Sequence, residues 1–209
     1  MYANRKLKPD DRFPLRELTT VTGALVTLPQ PAGLVHLQLR RFAGCPVCHL
    51  HLRSLVRRRE ELAVAGIREV VVFHSPAADL VRYVDDVPFD LVADPEKRLY
   101  AELGAEAGAR SLLDPRAWGP ILWALLVATV GLVRGRPLPP LRPPGGRLGL
   151  PADFLIAGDG TVLASKYGRY ADDQWSADEL LALAAGPGDT VSSGAGGGAA
   201  RRTGDRRNR

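Results

Sequence analysis

The chain's only two cysteines stand together as Cys45-Pro46-Val47-Cys48. Thiols at this spacing are within disulfide reach of one another, and at the start of a helix the free backbone amides and the positive dipole end stabilise a thiolate. The pattern points to cysteine redox chemistry, one sulfur attacking and the other resolving the product. Two other chemistries use the same residues. Cys45-Pro46-Val47-Cys48-His49 matches the CxxCH attachment pattern of c-type haem, but the sole methionine is Met1, a poor candidate for an axial ligand. Zinc held by Cys45, Cys48, His49 and His51 would need two histidines that point to different sides of a helix to converge. Dithiol redox chemistry is preferred to both, and neither a metal nor an organic cofactor is expected.

The elements around the motif have the form this chemistry needs. Leu34 to Arg41 reads as a buried strand, and Val47 to about Ala65 reads as a helix closed by Gly66. Ala24–Leu28 and Phe89–Ala93 are short strand candidates, and Val70-Val71-Val72-Phe73 is a β-branched run suited to a strand buried on both faces. Ser75-Pro76 reads as one helix start, and Asp94-Pro95-Glu96 as another, with Asp94 as N-cap of a helix through Leu103. Asp153–Ala157 and Val162–Lys166 form a hairpin across Gly158-Asp159-Gly160, and Ser176-Ala177-Asp178-Glu179 is a capping box. This order predicts an α/β fold, a central mixed sheet with helices on both faces.

Composition narrows the setting. Two cysteines in 209 residues are no secreted disulfide framework, and the charged start Met1-Tyr2-Ala3-Asn4-Arg5-Lys6 is unlike a cleaved signal, so a cytoplasmic protein is expected. Of the net charge of +5, the Gly/Ala/Arg-rich stretch from Gly186 to Arg209 carries +3 through five arginines and two aspartates. Nothing in the remainder resembles a basic patch with interleaved aromatics, so no nucleic-acid partner is expected. The tail is expected to be disordered.

In this order, Arg40-Arg41-Phe42-Ala43-Gly44-Cys45-Pro46-Val47-Cys48, Ala93-Asp94-Pro95-Glu96-Lys97-Arg98-Leu99-Tyr100, Pro151 through Gly160 and Tyr170-Ala171-Asp172-Asp173 resemble the peroxiredoxin-like branch of the alkyl hydroperoxide reductase/thiol-specific antioxidant group. The resemblance spans about residues 10 to 185 and implies a thioredoxin-like fold. It also implies that a thiolate attacks a peroxide or a disulfide, with recycling by a thioredoxin-like protein or a low-molecular-weight thiol. In the family's Pro-x-x-x-Thr-x-x-Cys loop, Cys45 stands where the Thr would be, which makes Cys48 the attacking residue. The thioredoxin register instead makes Cys45 attack, as the more exposed sulfur, and Cys48 resolve. Both assignments stand at this level. The resemblance also places Pro151 where that fold carries a cis-proline offering a backbone edge to substrate. Arg40 and Arg41 are candidate partners of a thiolate or a polarised peroxide, and at most one of two adjacent strand residues can face the site, with Arg41 the candidate for substrate contact. A proton relay through His49 is conceivable, but a satisfied or exposed histidine is preferred for both His49 and His74.

The expected organisation is an extension over 1–10, one thioredoxin-like domain over 11–185 with an apolar insert at about 112–147, and the tail over 186–209. Residues 117–133 carry no charge and lie between Arg116 and Arg134. A membrane span there would separate the two halves of one sheet across a bilayer, so an inserted helix is expected instead. It would serve core packing, a homodimer interface or contact with a membrane surface. Besides the peroxidase reading, the sequence is compatible with a general protein-disulfide reductase, or with a thioredoxin-like binding module whose cysteines are idle.

Overall fold

The computed structural model describes residues 5–84, 86–105, 110–133, 137, 140 and 142–186. Two short strands, β1 (Arg16–Thr19) and β2 (Leu25–Leu28), pair antiparallel. They are followed by β3 (Leu34–Arg40), α1 (Pro46–Arg57), α2 (Arg59–Val64), β4 (Ile67–Phe73), α3 (Ala77–Val84) and β5 (Asp90–Ala93). Then come α4 (Arg98–Glu102), α5 (Arg110–Leu113), α6 (Pro115–Val133), β6 (Ala152–Ala157), β7 (Val162–Tyr167) and α7 (Ala177–Ala185). The main sheet has the order β5-β4-β3-β6-β7, with β3, β4 and β5 parallel and β6 and β7 antiparallel. The parallel pairs require crossovers, which α1–α2 and α3 supply. The mixed α/β sheet expected from the sequence is therefore the observed one.

Strand alternation decides what lies beneath the motif. Val35, Leu37 and Leu39 of β3 join Val70 and Val72 of β4 on one face, packed on β1–β2 and on Leu99, Tyr100 and Leu103. The opposite face presents His36, Gln38 and Arg40, all fully buried beneath α1 and α7, with Val71 and Phe73 of β4 alongside. Helix α1 lays Val47, Cys48, Leu52 and Leu55 on that face.

Several boundaries differ from the sequence expectation for identifiable reasons. The expected long helix after the motif breaks at Arg58, whose φ of −114° and ψ of 17° end α1 while its side chain turns to Glu61 and Asp178. Asp94 does cap α4, but from a turn away. Its carboxylate accepts the amides of Arg98 (3.0 Å) and Leu99 (2.9 Å), and the helix opens only after Lys97 in the left-handed region. Strand β1 escapes sequence detection because it alternates exposed and half-buried residues without a strong apolar side. The capping box at Ser176 and Glu179 is present in both directions. The insert forms α6, and among the described residues no helix is long and apolar enough to cross a membrane. Beyond Gly186, the tail expected to be disordered lies outside the described residues.

Candidate active site

The turn between β3 and α1 fixes both sulfurs. Gly44 adopts a φ of +79°, and a Cβ there would lie 2.8 Å from Pro140 Cδ and 3.2 Å from the Tyr83 ring, so only glycine allows this approach. The Ala43 amide donates to Ser75 Oγ at 3.0 Å and the His74 amide to the Arg41 carbonyl, tying the turn to the end of β4. Cys45 is the N-cap of α1, with Pro46 in the first turn, and its Sγ accepts from the Cys48 amide at 3.5 Å. A cap residue whose acceptor is sulfur holds that sulfur among the free amides of the helix start, where negative charge is favoured.

The two arginines before the motif separate as strand geometry requires. Arg41 turns to the thiols: its Nη1 lies 3.7 Å from Cys45 Sγ, and its Nη2 donates to the Arg147 carbonyl. Arg40 turns to the opposite side, where Nη2 meets Asp153 at 2.7 Å and lies 3.3 Å from His51 Nε2. Of the residues anticipated at the site, Cys45, Cys48 and Arg41 are thus brought together.

Electrostatics separates the two sulfurs. Burial pushes the Cys45 thiol up, but hydrogen bonding from Cys48, the charge of Arg41 and the amides of Cys48 and Val47 bring it down to about 6. Cys48 moves well above the ordinary thiol value, through burial first and then through its hydrogen bond with Cys45 and the charge there. Near neutral pH the pair is a thiolate at 45 accepting from a thiol at 48. Replacing Arg41 tests its share. Thiolate ultraviolet absorbance of the unmodified protein should titrate with a midpoint near 6, and Arg41→Met should raise that midpoint by about 1–3 pH units. An unmoved midpoint would show that the guanidinium does not act on Cys45.

Three expectations need correction. Cys45 is not the exposed member of the pair: it is 2% exposed and Cys48 1%, both as free thiols. Helix α6 supplies Ala124 and Ile121 to the apolar cluster that holds them, and Pro140 and Tyr83 close over Gly44. The Leu150-Pro151 peptide is trans, not cis. The Pro151 carbonyl already accepts the Gly168 amide at 2.8 Å, continuing the ladder toward β7, so that edge is not free for an added strand. His74 is neither exposed nor satisfied. It is 1% exposed, edge-on to Tyr100, with neither ring nitrogen in hydrogen-bond geometry, and burial first and Lys97 second hold its pKa near 4. His49 and His51 diverge from the sulfurs, toward Asp86 and Arg40, so the four residues considered for zinc do not converge.

Sequence reasoning missed Tyr100 as a support. Its hydroxyl donates to the carbonyls of both Arg40 and Val72, clamping the ends of β3 and β4 from which the motif springs. It also missed the buried ionic group under α1. His36 sits between Glu69 (2.7 Å) and Asp153 (3.0 Å), and Gln38 bridges Glu69 to Arg40.

Comparison with known proteins follows the same lines. A family model described as AhpC/TSA antioxidant enzyme matches residues 54–169, more than half of the chain, beginning just after the cysteine pair. No curated protein sequence matches the chain. Among solved structures, the peroxidoxin BcpB of Mycobacterium tuberculosis is 19% identical with a TM-score of 0.59, over 85% of this chain and 96% of that one. A mutant of the peroxiredoxin 6 of Arenicola marina is 16% identical with a TM-score of 0.61, over 85% and 72%. A chain described as a thiol:disulfide interchange protein, DsbE, from Chlorobium tepidum is 19% identical with a TM-score of 0.55, over 86% and 99%. At these identities the likenesses establish the fold.

Proposed function

We propose, for a chain that belongs to the AhpC/TSA antioxidant-enzyme family, that it reduces peroxides with Cys45 as nucleophile and Cys48 as resolving thiol. The observation that carries this is the single placement of Cys45 Sγ as cap of α1 and 3.7 Å from Arg41 Nη1. Only one sulfur of the pair is held as an anion, so the roles are unequal before substrate arrives.

The chemistry balances without a cofactor. The Cys45 thiolate attacks one peroxide oxygen; an S–O bond forms, the O–O bond breaks, and the departing alkoxide takes a proton from solvent to leave as alcohol. Cys48 then attacks the sulfenic sulfur as a thiolate, its proton leaving with the displaced hydroxide as water, and a 45–48 disulfide remains. An external thiol, a thioredoxin-like protein or a low-molecular-weight thiol of the cytoplasm, restores the pair. Arg41 stabilises the thiolate and the oxyanion leaving it. Pro151, one step beyond the Leu39↔Ala152 pair, is assigned to the wall beside the end of β3. The domain over 11–185 holds all of these residues; the segments 1–10 and 186–209 have no part in the chemistry.

Burial favours peroxide over a protein disulfide. A small peroxide needs only a slight local parting to reach a sulfur 2% exposed, whereas a protein disulfide would have to displace the apolar cluster around it. The DsbE-like fold keeps disulfide reduction as the second reading. One equivalent of hydrogen peroxide should remove two hydrogens from the protein and leave a 45–48 crosslink by mass spectrometry. Insulin reduction under the same thiol supply should be at least about tenfold slower than peroxide consumption. Rapid insulin reduction without peroxide consumption would reverse the assignment. Full function in a double Cys→Ser variant would instead make the chain a binding module.

A further inference from the structure

Helix α6 is turned inside out for a helix facing water. Its protein-facing side carries Ala117, Ile121 and Ala124, while Trp118 (61%), Leu122 (72%), Trp123 (61%), Leu125 (50%), Leu126 (55%) and Val130 (47%) stand in solvent. At 3.6 residues per turn these exposed positions cover roughly half the helix circumference, wider than the stripe of about 100° that packing against one partner helix buries. Two of the few polar groups on that half are already used. The Thr129 hydroxyl donates to the Leu126 carbonyl at 2.7 Å and the Trp118 indole to the Leu112 carbonyl at 3.3 Å. Among the described residues of that half only the Trp123 indole keeps a free donor, too little for the polar rim that orients a protein partner.

Charge identifies the complement. Positions 110–149 contain six arginines and one aspartate, a net +5, while the chain outside this segment and outside 186–209 sums to −3. Arg116, in the first turn of α6, and Arg142 and Arg147, in the chain that follows it, are exposed, and the helix between them presents an uncharged apolar half-cylinder with two tryptophans. No described helix is long and apolar enough to cross a bilayer. We propose that α6 docks this chain on an anionic lipid surface, lying in the interface with its outer half among the acyl chains and the neighbouring arginines at the headgroups. The inner side of the same helix reaches the Cys45–Cys48 cluster through Ala124 and Ile121, so the helix that docks is also one that packs against the thiol cluster.

Co-sedimentation and tryptophan emission test this on the full chain in a Cys45→Ser/Cys48→Ser background, which separates docking from thiol chemistry. The probes are vesicles of phosphatidylcholine alone and of phosphatidylcholine with roughly one-third phosphatidylglycerol. The chain should pellet with the anionic vesicles at least about tenfold more strongly, with a blue shift from Trp118 and Trp123, since Trp175 is already buried. Arg116→Gln/Arg142→Gln should weaken that binding roughly tenfold or more, because each arginine near the surface contributes about 1 kcal/mol. Trp118→Ser/Leu122→Ser/Trp123→Ser, all at exposed positions, should abolish it with an unchanged circular dichroism spectrum. Three outcomes overturn the proposal: no binding to anionic vesicles at low salt, equal binding to both compositions, or a stable dimer with pre-shifted emission that ignores vesicles.

Discussion

Cys45→Ser should lower peroxide turnover by roughly three orders of magnitude or more, whereas Cys48→Ser should keep a fast first reaction and lose only the turnovers that follow. The asymmetry follows from the protonation states. Cys45 titrates at about 6 and is largely thiolate at neutral pH; Cys48, pushed up by burial and by its anionic neighbour, is a thiol. Serine at 45 has no accessible anion, and the remaining thiol at 48 cannot replace it. Serine at 48 still offers a hydroxyl to hold the Cys45 thiolate, so the first-turnover rate should stay within about tenfold of wild type. The product then stops as a sulfenic acid, trapped by a dimedone-type reagent at residue 45. Stopped-flow peroxide consumption with mass analysis decides the matter. A sulfenic acid forming at 48 in Cys45→Ser, at the wild-type rate, would exchange the two roles and restore the register in which the family's loop is read across Cys48.

That choice was not legible in the sequence, because it depends on which side chains converge. The motif, the strand before it and the helix after it follow from residue types and spacing, and so does the rule that only one of Arg40 and Arg41 can face the thiols. Which one does so depends on the register of β3 against β4 and β6. The burial of Cys45 is not visible in the sequence because Ile121 and Ala124, which join its apolar cluster, lie more than seventy residues downstream in an insert whose docking no local pattern announces. His74 followed a core strand and read as unremarkable; its burial comes from the loop through Gly145 and Gly149, which approaches both ring nitrogens. The trans Pro151 is a further case. Its position before β6 was correct, but the pairing of its carbonyl with Gly168 is a property of the assembled sheet.

Asp153→Asn should cost about 3–5 kcal/mol, a fall in Tm of roughly 6–20 °C for a chain of this size. The alternation His36, Gln38, Arg40 in β3 would ordinarily signal a wet face, yet all three are fully buried, with Glu69 and Asp153 on the flanking strands. Asp153 accepts from Arg40 at 2.7 Å and from His36 at 3.0 Å; burial alone would raise its carboxyl, but Arg40 first and then His36 hold it far below the usual range. An amide at 153 leaves the Arg40 guanidinium buried opposite a neutral group, and that uncompensated charge dominates the cost. The pH dependence has two edges. Burial would lower the His36 pKa, but Glu69 and Asp153 raise it to about 9, so its contribution is complete below about 6.5 and is lost as pH rises through about 9. Asp153, depressed when folded, contributes above about 4 and loses that contribution as pH falls. Denaturant melts of the wild type should therefore show a plateau between about pH 4 and 6.5 from this group and a decline on the alkaline side, and Asp153→Asn should flatten both edges. Arg40→Met/Asp153→Leu, which removes both charges together, should recover most of the stability lost by Asp153→Asn. If the single and double variants are equally unstable, the site is sensitive to shape rather than to unpaired charge.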